Sequence, residues 1–245
     1  NSDDLQGYWR NDGVTTWTDR STNSNHGTTA GTKAGILLPE GTTEGRDTQG
    51  FLLSDTTSIS NGIRLHGNEY IKAQDSSIFA NIFDGGGTVE LWVYVEPGVN
   101  FTTGARIVAK GDESNEGWLI YPSDLSGSTF KVVFGVVWSS DDGYWTPDDR
   151  DFTVNTWHHL AITYDSASAS NEALMYVDGV SKSLSNPTPT GSYTSDAGED
   201  IFIGERPATD RGLLGKIDEF RLYDTILSAT EVLTNYNNGK SAHSN

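Results

Sequence analysis

The sequence of 245 residues lacks cysteine altogether and contains little methionine, proline or positive charge. Without cysteine, a disulfide framework, thiolate metal sites and thiol catalysis are excluded. The sequence also lacks a run of eighteen apolar residues, so no segment predicts a membrane-spanning helix. Lys and Arg number 16 against 34 Asp and Glu, and they form no basic stripe. Nucleic acid and anionic membranes are therefore poor partners, because binding either depends on neutralising phosphate.

What is abundant is aromatic residues and glycine: 7 Trp, 10 Tyr, 9 Phe and 27 Gly. This composition is typical of short strands joined by many turns. The clearest strand is 88–95, in which every second residue is apolar. Asp178-Gly179 follows an apolar run and predicts a hairpin turn. Further strands are predicted over 7–10, 36–38, 63–66, 70–73, 129–138, 157–164, 172–180, 201–203 and 213–223, and loops over 22–33, 40–49, 123–128, 139–151 and 185–199.

One short helix is predicted near the C-terminus. Ser228 and Glu231 have the spacing of a capping box, and Gly239 supplies a stop. A small apolar face is formed by Val232, Leu233 and Tyr236. Such a short helix is unstable alone, so we expect it to pack on a sheet.

Four groups of segments, in this order along the chain, resemble the concanavalin A-like lectin/glucanase superfamily and its laminin-G-like (LamG, pentraxin-like) domains. They are 7–10 (GYWR) with 19–27, 88–93 (TVELWV), 157–164 (WHHLAITY) with 176–179, and 215–224 (GKIDEFRLYD) with 227–232. The resemblance implies an all-β fold, a jelly roll sandwich of two antiparallel sheets, and a single domain over residues 1–245. It also implies an extracellular, cell-surface or virion-associated location. It implies no one function, because members bind sugars, mediate adhesion, build virions or cleave glycans.

A structural calcium ion is predicted near the chain ends. Oxygen-bearing side chains recur at every second position from Asp19 through Asn23 to Asn25, and calcium prefers six to eight oxygen ligands. In the resembled family this loop meets the Ile-Asp-Glu strand around calcium, which points to Asp19 and Asp218, with Asn23 and Asn25 completing the shell. The alternative is that Asp19 and Asn23 only cap a turn.

A ligand site is predicted around the segment 138–149, where aromatic and acidic residues share a polar loop. Exposed aromatic rings usually have a purpose, and sugar rings stack on them while carboxylates accept their hydroxyls. The predicted ligand-binding residues are Trp118, Tyr121, Trp138, Asp141, Asp142, Tyr144 and Trp145. The alternative is that Trp145 folds back and plugs one end of the sandwich.

Catalytic patterns are missing from the predicted strands. A retaining glycosidase needs two carboxyl groups about 5–5.5 Å apart, which two positions on one strand would supply, and the strand 88–95 offers Glu90 alone. His158 and His159 are adjacent on a strand and point to opposite faces, so they cannot share a metal. We therefore expect a non-catalytic carbohydrate-binding domain with a polysaccharide or glycan as partner. The alternative is a structural or adhesion protein that binds protein partners; a glycoside hydrolase using Glu90 comes third.

Overall fold

The computed structural model describes residues 5–10, 16–19, 27–30, 35–37, 51–53, 63–66, 69–75, 77, 79–102, 104–185 and 188–243, with side chains for Leu65 and from Glu69 onwards. Strands dominate these ranges. They are β1 Leu5–Arg10, β2 Thr16–Asp19, β3 Gly27–Ala30, β4 Gly35–Leu37, β5 Phe51–Leu53, β6 Ile63–His66, β7 Tyr70–Ala73, β8 Gly87–Val95, β9 Val108–Lys110, β10 Trp118–Ser126, β11 Thr129–Val136, β12 Gly143–Pro147, β13 Phe152–Thr153, β14 Trp157–Tyr164, β15 Leu174–Val177, β16 Val180–Lys182, β17 Leu184–Ser185, β18 Ile201–Ile203 and β19 Leu214–Tyr223.

The strands form two layers, as the resemblance implied. Sheet A runs β16-β15-β14-β8-β19, and β19 then pairs with β6 along its first half and with β1 along its second. Sheet B runs β2-β3-β7-β18-β9-β10-β11, and β12 and β13 pair with successive parts of β11. These pairings are antiparallel; β5 pairs with β6 in parallel, which the sequence did not predict. The fold is the predicted jelly roll sandwich.

The core lies between the two layers and follows the period of two. Leu91 and Val93 of β8 point into it from sheet A, and Ile120 and Phe134 of β10 and β11 point into it from sheet B. Each of these four side chains is at most 1% exposed. The apolar set predicted for 88–95 is therefore confirmed as the inward face.

The predicted C-terminal helix is confirmed as α1, Ala229–Gly239, with both hydrogen bonds of the capping box present. It packs on the outer face of sheet A, where Val232 is fully buried, whereas Leu233 remains 44% exposed. The predicted stop Gly239 is the last residue of α1, and the residue after it, Lys240, caps the helix. A Cβ atom on Gly239 would lie 2.5 Å from Trp92 Nε1, so glycine is needed for close packing on the sheet.

Two local predictions about β14 and the hairpin are also confirmed. The ring of His158 packs against Phe152, while that of His159 packs against Trp92 on the opposite face.

Asp178 and Gly179 both have positive φ (53° and 77°), as a tight hairpin between β15 and β16 requires.

Three predicted loops are wrong in part. The range 22–33 contains β3, the range 123–128 contains the end of β10, and the range 139–151 contains β12, which pairs with β11. Within the described ranges, no helix combines the length and apolar character that crossing a bilayer would need. That residues 1–245 form one domain stays a prediction.

Candidate ligand-binding groove

A groove on the outer face of sheet B is lined by two of the predicted ligand residues, Tyr121 and Tyr144. Side chains on β10 alternate, so Trp118 and Ile120 enter the core while Leu119 and Tyr121 face outwards. Register then sets Leu119 opposite Gly135, and Gly135 opposite Tyr144. The groove has a volume of about 350 Å³, which falls in the range of small-molecule sites. It is lined by Phe101, Thr102, Gly104, Arg106, Leu119, Tyr121, Ser123, Tyr144 and Arg211.

Gly135 lies beneath two of the lining side chains, those of Leu119 and Tyr144. A Cβ atom there would lie 2.7 Å from Cε1 of Tyr144 and 2.8 Å from Cδ2 of Leu119. The absence of a side chain therefore lets the Tyr144 ring lie across the sheet beside Leu119. Glycine inside a strand often marks such a close approach.

Arg106 packs against the ring of Tyr121, the second tyrosine of the groove. Its guanidinium lies 5.0 Å from the centre of the Tyr121 ring, and it forms a bidentate ion pair with Glu113 in which Nη2 and Oε2 are 2.5 Å apart. Both side chains of the pair are only 5% exposed. Nη1 also donates to the backbone oxygen of Gly104. These bonds fix the guanidinium, so the Tyr121 ring rests on a rigid support.

Both tyrosines keep their phenolic protons at neutral pH. Burial, helped by the nearby carboxylate of Asp142, raises the pKa of Tyr144 to about 12. Burial also raises the pKa of Tyr121, although the positive charge of Arg106 opposes that shift. Each hydroxyl can therefore both donate and accept a hydrogen bond, as recognition of a polyhydroxylated ligand requires.

The predicted exposed platform of tryptophans is wrong. Trp118, Trp145 and Trp138 are 0%, 1% and 5% exposed, so they offer almost no surface on which a ligand could stack. In strand β12 the alternation turns Trp145 into the core and leaves Tyr144 on the outer face. The Trp145 indole N–H donates to Oε2 of Glu172 (2.7 Å), which satisfies its one polar group. The alternative reading, in which Trp145 folds inwards, therefore describes its position.

Asp141 and Asp142, the two predicted acidic residues, lie in the turn between β11 and β12. The exposed Asp141 accepts a hydrogen bond from Oγ1 of Thr190 (2.7 Å). Asp142 accepts one from the backbone N–H of Trp138 (3.0 Å), and its other oxygen lies 3.4 Å from the Tyr144 hydroxyl. Ligand binding by Tyr121, Tyr144, Asp141 and Asp142 stays a prediction; of these four, the two tyrosines line the groove.

The predicted calcium ligands are only partly visible. The side chain of Asp19, at the end of β2, and all of Asn23 and Asn25 lie outside the described residues. Asp218 is 1% exposed; one oxygen accepts from the backbone N–H of Glu219 (2.8 Å), and the other lies 3.1 Å from Nε2 of His243. Each oxygen of Asp218 therefore has a polar partner within the protein. Among the described residues, no three His, Asp or Glu side chains are grouped as a metal site, and calcium stays a prediction.

Glu90, on which the glycosidase alternative depends, lies far from an open surface. It is 0% exposed on the outer face of sheet A, where α1 covers it and Nδ2 of Asn235 donates to it (2.8 Å).

Sequence reasoning missed Arg106, Glu113 and Arg211, because they come from loops that only the fold brings to β10. The available signal for a groove was Gly135, a glycine within a strand made mostly of β-branched and aromatic residues.

Known proteins support the fold independently. The model of the family Laminin_G_3, described as the concanavalin A-like lectin/glucanases superfamily, matches residues 65–233. The chain belongs to this superfamily. No curated protein matches the sequence significantly.

Solved structures of similar fold include several binding domains. Domain 4 of AbnA, a GH43 extracellular arabinanase from Geobacillus stearothermophilus solved with arabinotriose, is 21% identical, with a TM-score of 0.62; the match covers 94% of this chain and 97% of that one. The binding domain of Paraclostridial Mosquitocidal Protein 1 is 17% identical, with a TM-score of 0.67 and coverages of 97% and 52%. The binding domain of botulinum neurotoxin DC, solved with rat synaptotagmin II, is 13% identical, with a TM-score of 0.61 and coverages of 97% and 52%. This concanavalin A-like chain thus spans about half of each toxin domain.

Proposed function

We propose that this protein is a non-catalytic glycan-binding domain whose site is the groove on sheet B. The observation that carries the proposal is that two half-buried tyrosines, Tyr121 and Tyr144, both line the groove, with Gly135 beneath the Tyr144 ring. Two amphipathic rings with protonated hydroxyls offer apolar contact to the C–H face of a sugar and hydrogen bonds to its hydroxyls.

Two further points support this proposal. AbnA domain 4, which has a similar fold, was solved with arabinotriose, so the fold is compatible with an oligosaccharide ligand. The described residues that line the groove include no Asp or Glu, and glycoside hydrolysis relies on a carboxyl pair flanking the scissile bond. Adhesion to a protein, a structural calcium ion and an extracellular location remain predictions beside this one.

The test is oligosaccharide binding by wild type, Tyr144→Ala and Tyr144→Phe, measured by calorimetry with arabinotriose first and then a glycan panel. We expect Tyr144→Ala to weaken binding by about tenfold or more, because the ring is lost. Tyr144→Phe removes only the hydroxyl and should weaken binding less. Tyr94→Ala, which removes a half-buried tyrosine from the outer face of sheet A, is the matched control and should leave binding unchanged. A panel without any binder, or binding that survives Tyr144→Ala, contradicts the proposal.

A further inference from the structure

Glu113, in the turn between β9 and β10, holds one of the lining residues of the groove, Arg106. Its carboxylate accepts from Nε and Nη2 of Arg106, and its Oε2 also lies 3.4 Å from Nη1 of Arg206. The side chain of Glu113 is 5% exposed, so little water solvates this carboxylate and the two arginines are its partners. One acidic side chain thus connects the support of Tyr121 to the loop that follows β18.

The backbone of Glu113 has a conformation that glutamate rarely adopts. Its φ is 65°, in the left-handed region, where a residue with a Cβ atom is strained and glycine is usual. The side chain of Asp112 maintains the turn, because its Oδ1 accepts from the backbone N–H groups of Ser114 and Asn115 (both 2.8 Å). Backbone strain of this kind clusters at functional sites. The contacts of Glu113 indicate that its task is the control of Arg106.

The charge of Arg106 is compensated beside the Tyr121 ring. Arg106 is 4% exposed, and its guanidinium lies 5.0 Å from the centre of that ring. Burial raises the pKa of Tyr121; the positive charge of Arg106 lowers it, and the negative charge of Glu113 raises it again. The two charges of the ion pair therefore oppose each other at the Tyr121 hydroxyl.

The other charges near the groove also favour a ligand without negative charge. Hydrogen bonds from Arg206, assisted by the charges of Arg206 and Arg211, lower the pKa of Asp210, so this carboxylate is ionised near them. Asp142 lies beside Tyr144, where its negative charge adds to the effect of burial on the pKa of that hydroxyl. The whole chain has a net charge of −18. An anion in the groove would therefore meet compensated arginines within a negatively charged protein.

We propose that Glu113 is a positioning residue of the groove and restricts its ligands to uncharged saccharides. By fixing Arg106 it keeps the Tyr121 ring on a rigid support, and by neutralising Arg106 it removes a charge that would attract an acidic sugar. This inference rests on the proposed function and names its substrate class and a residue that sets it. Tyrosine rings and hydroxyls are sufficient to hold an uncharged sugar.

The first experiment titrates Tyr121 and needs no ligand. Its ionisation is followed by NMR of protein with isotope-labelled tyrosine, and Tyr121→Phe assigns the signal. We expect Glu113→Gln to lower the pKa of Tyr121, because the positive charge of Arg106 is then unopposed. Glu113→Asp keeps the charge and should restore most of the wild-type pKa. Asp224→Asn, at an exposed position after β19 of sheet A, changes the net charge equally and should leave this pKa unchanged.

The second experiment compares two ligands of different charge in calorimetry: the trisaccharide of galacturonate and its methyl ester. We expect wild type to bind the ester at least as tightly as the acid. Glu113→Gln should shift the ratio of the two affinities about tenfold towards the acid, because the poorly solvated guanidinium of Arg106 then attracts an anion. Asp224→Asn is again the matched control and should keep the wild-type ratio. If an uncharged sugar of the panel binds and the acid does not, the proposal is likewise supported.

Arg106→Gln tests the same ion pair from the other side and decides the matter if Glu113→Gln fails to fold. Glu113 keeps Arg206 as a partner in this variant. Because the charge that lowers it is lost, the pKa of Tyr121 should rise, and wild-type preference for the ester should persist.

Three results would overturn the proposal: titration of Tyr121 that is the same in wild type and in the folded Glu113 or Arg106 variant, wild type that prefers the acid, or an affinity ratio that Glu113→Gln leaves unchanged. If Tyr144→Ala still weakens saccharide binding in such a case, the proposed function survives. Absence of any saccharide binding removes both.

Discussion

The outer faces of the two sheets have a similar alternation of side chains but different surroundings in the folded protein. In β8 the alternation turns Glu90 and Trp92 outwards from sheet A, just as in β10 it turns Leu119 and Tyr121 outwards from sheet B. On sheet B this face is left as a groove. On sheet A, α1 covers it, so that Trp92 is 2% and Glu90 0% exposed. An outer face with aromatic residues is thus an open groove in one sheet and a helix-docking surface in the other.

Because α1 covers sheet A, the charged groups beneath it have altered pKa values. Beneath α1, Oε1 of Glu90 lies 3.7 Å from Nε2 of His159. Burial raises the pKa of Glu90 to about 7, although Arg221 opposes the shift. Burial, assisted by Arg221, lowers the pKa of His159 to about 3. We therefore expect titration of these two groups on sheet A to affect stability, whereas Tyr121 and Tyr144 on sheet B line an open groove.

The largest effect expected from this difference is that of Trp92→Ala. The Trp92 ring stacks on His243 (4.2 Å between centroids) and on Tyr236 (5.7 Å), and thereby joins sheet A to the C-terminal segment. Truncation should lower the free energy of unfolding by about 3–5 kcal/mol, measured by chemical denaturation. Trp92→Phe should cost less. Saccharide binding by the folded fraction should be unchanged, since the groove lies on the other sheet; selective loss of binding would show that the two faces are coupled.

The next largest effect is the pH dependence of Glu90→Gln. The folded pKa of about 7 exceeds the ordinary 4.5, so the native state holds an extra proton between these values and loses stability as pH rises through them. The loss in free energy of unfolding over this pH range is about 3 kcal/mol. Glutamine resembles the protonated form, so relative to wild type the variant should gain about this much between pH 4.5 and pH 8 in denaturation experiments.

For His159→Gln we expect the opposite dependence of stability on pH. The folded pKa of about 3 lies below the ordinary 6.5, so stability contributed by the neutral ring is lost as pH falls from 6.5 towards 3. Relative to wild type, this variant should therefore gain stability on acidification. If either stability difference stays constant with pH, the group concerned is not buried as the structure places it.

Local sequence patterns were sufficient for most of sheet A and for α1. The boundaries of β14 were predicted to the residue, and those of β8 to within one residue. The capping box at Ser228 was read correctly because its two hydrogen bonds depend on residues three apart. Such features are decided within a few residues, so the sequence contains all that is needed.

The groove could not be predicted in the same way. Strand β12 is short, and acidic turns flank it, so Tyr144 and Trp145 resemble a loop until β11 pairs with them. Arg106 and Arg211 are distant in sequence and meet only because the loop after residue 203 returns beside β9. Which outer face receives α1 is likewise a tertiary outcome. Alternation alone marks outward positions in both sheets but does not distinguish the covered face from the open one.

The smallest effect expected is that of Ser228→Ala at the start of α1. Oγ of Ser228 accepts from the backbone N–H of Glu231 (3.3 Å), while the Glu231 carboxylate accepts from the backbone N–H of Ser228 (2.8 Å). Loss of the cap should cost about 1 kcal/mol, and Ser228→Thr should restore most of it. Amide hydrogen exchange should accelerate in α1 and in β8 beneath it, while β10 and β11 retain their protection, because the helix covers only sheet A. Faster exchange in all four elements would mean that α1 stabilises the whole sandwich and that the two outer faces are not independent.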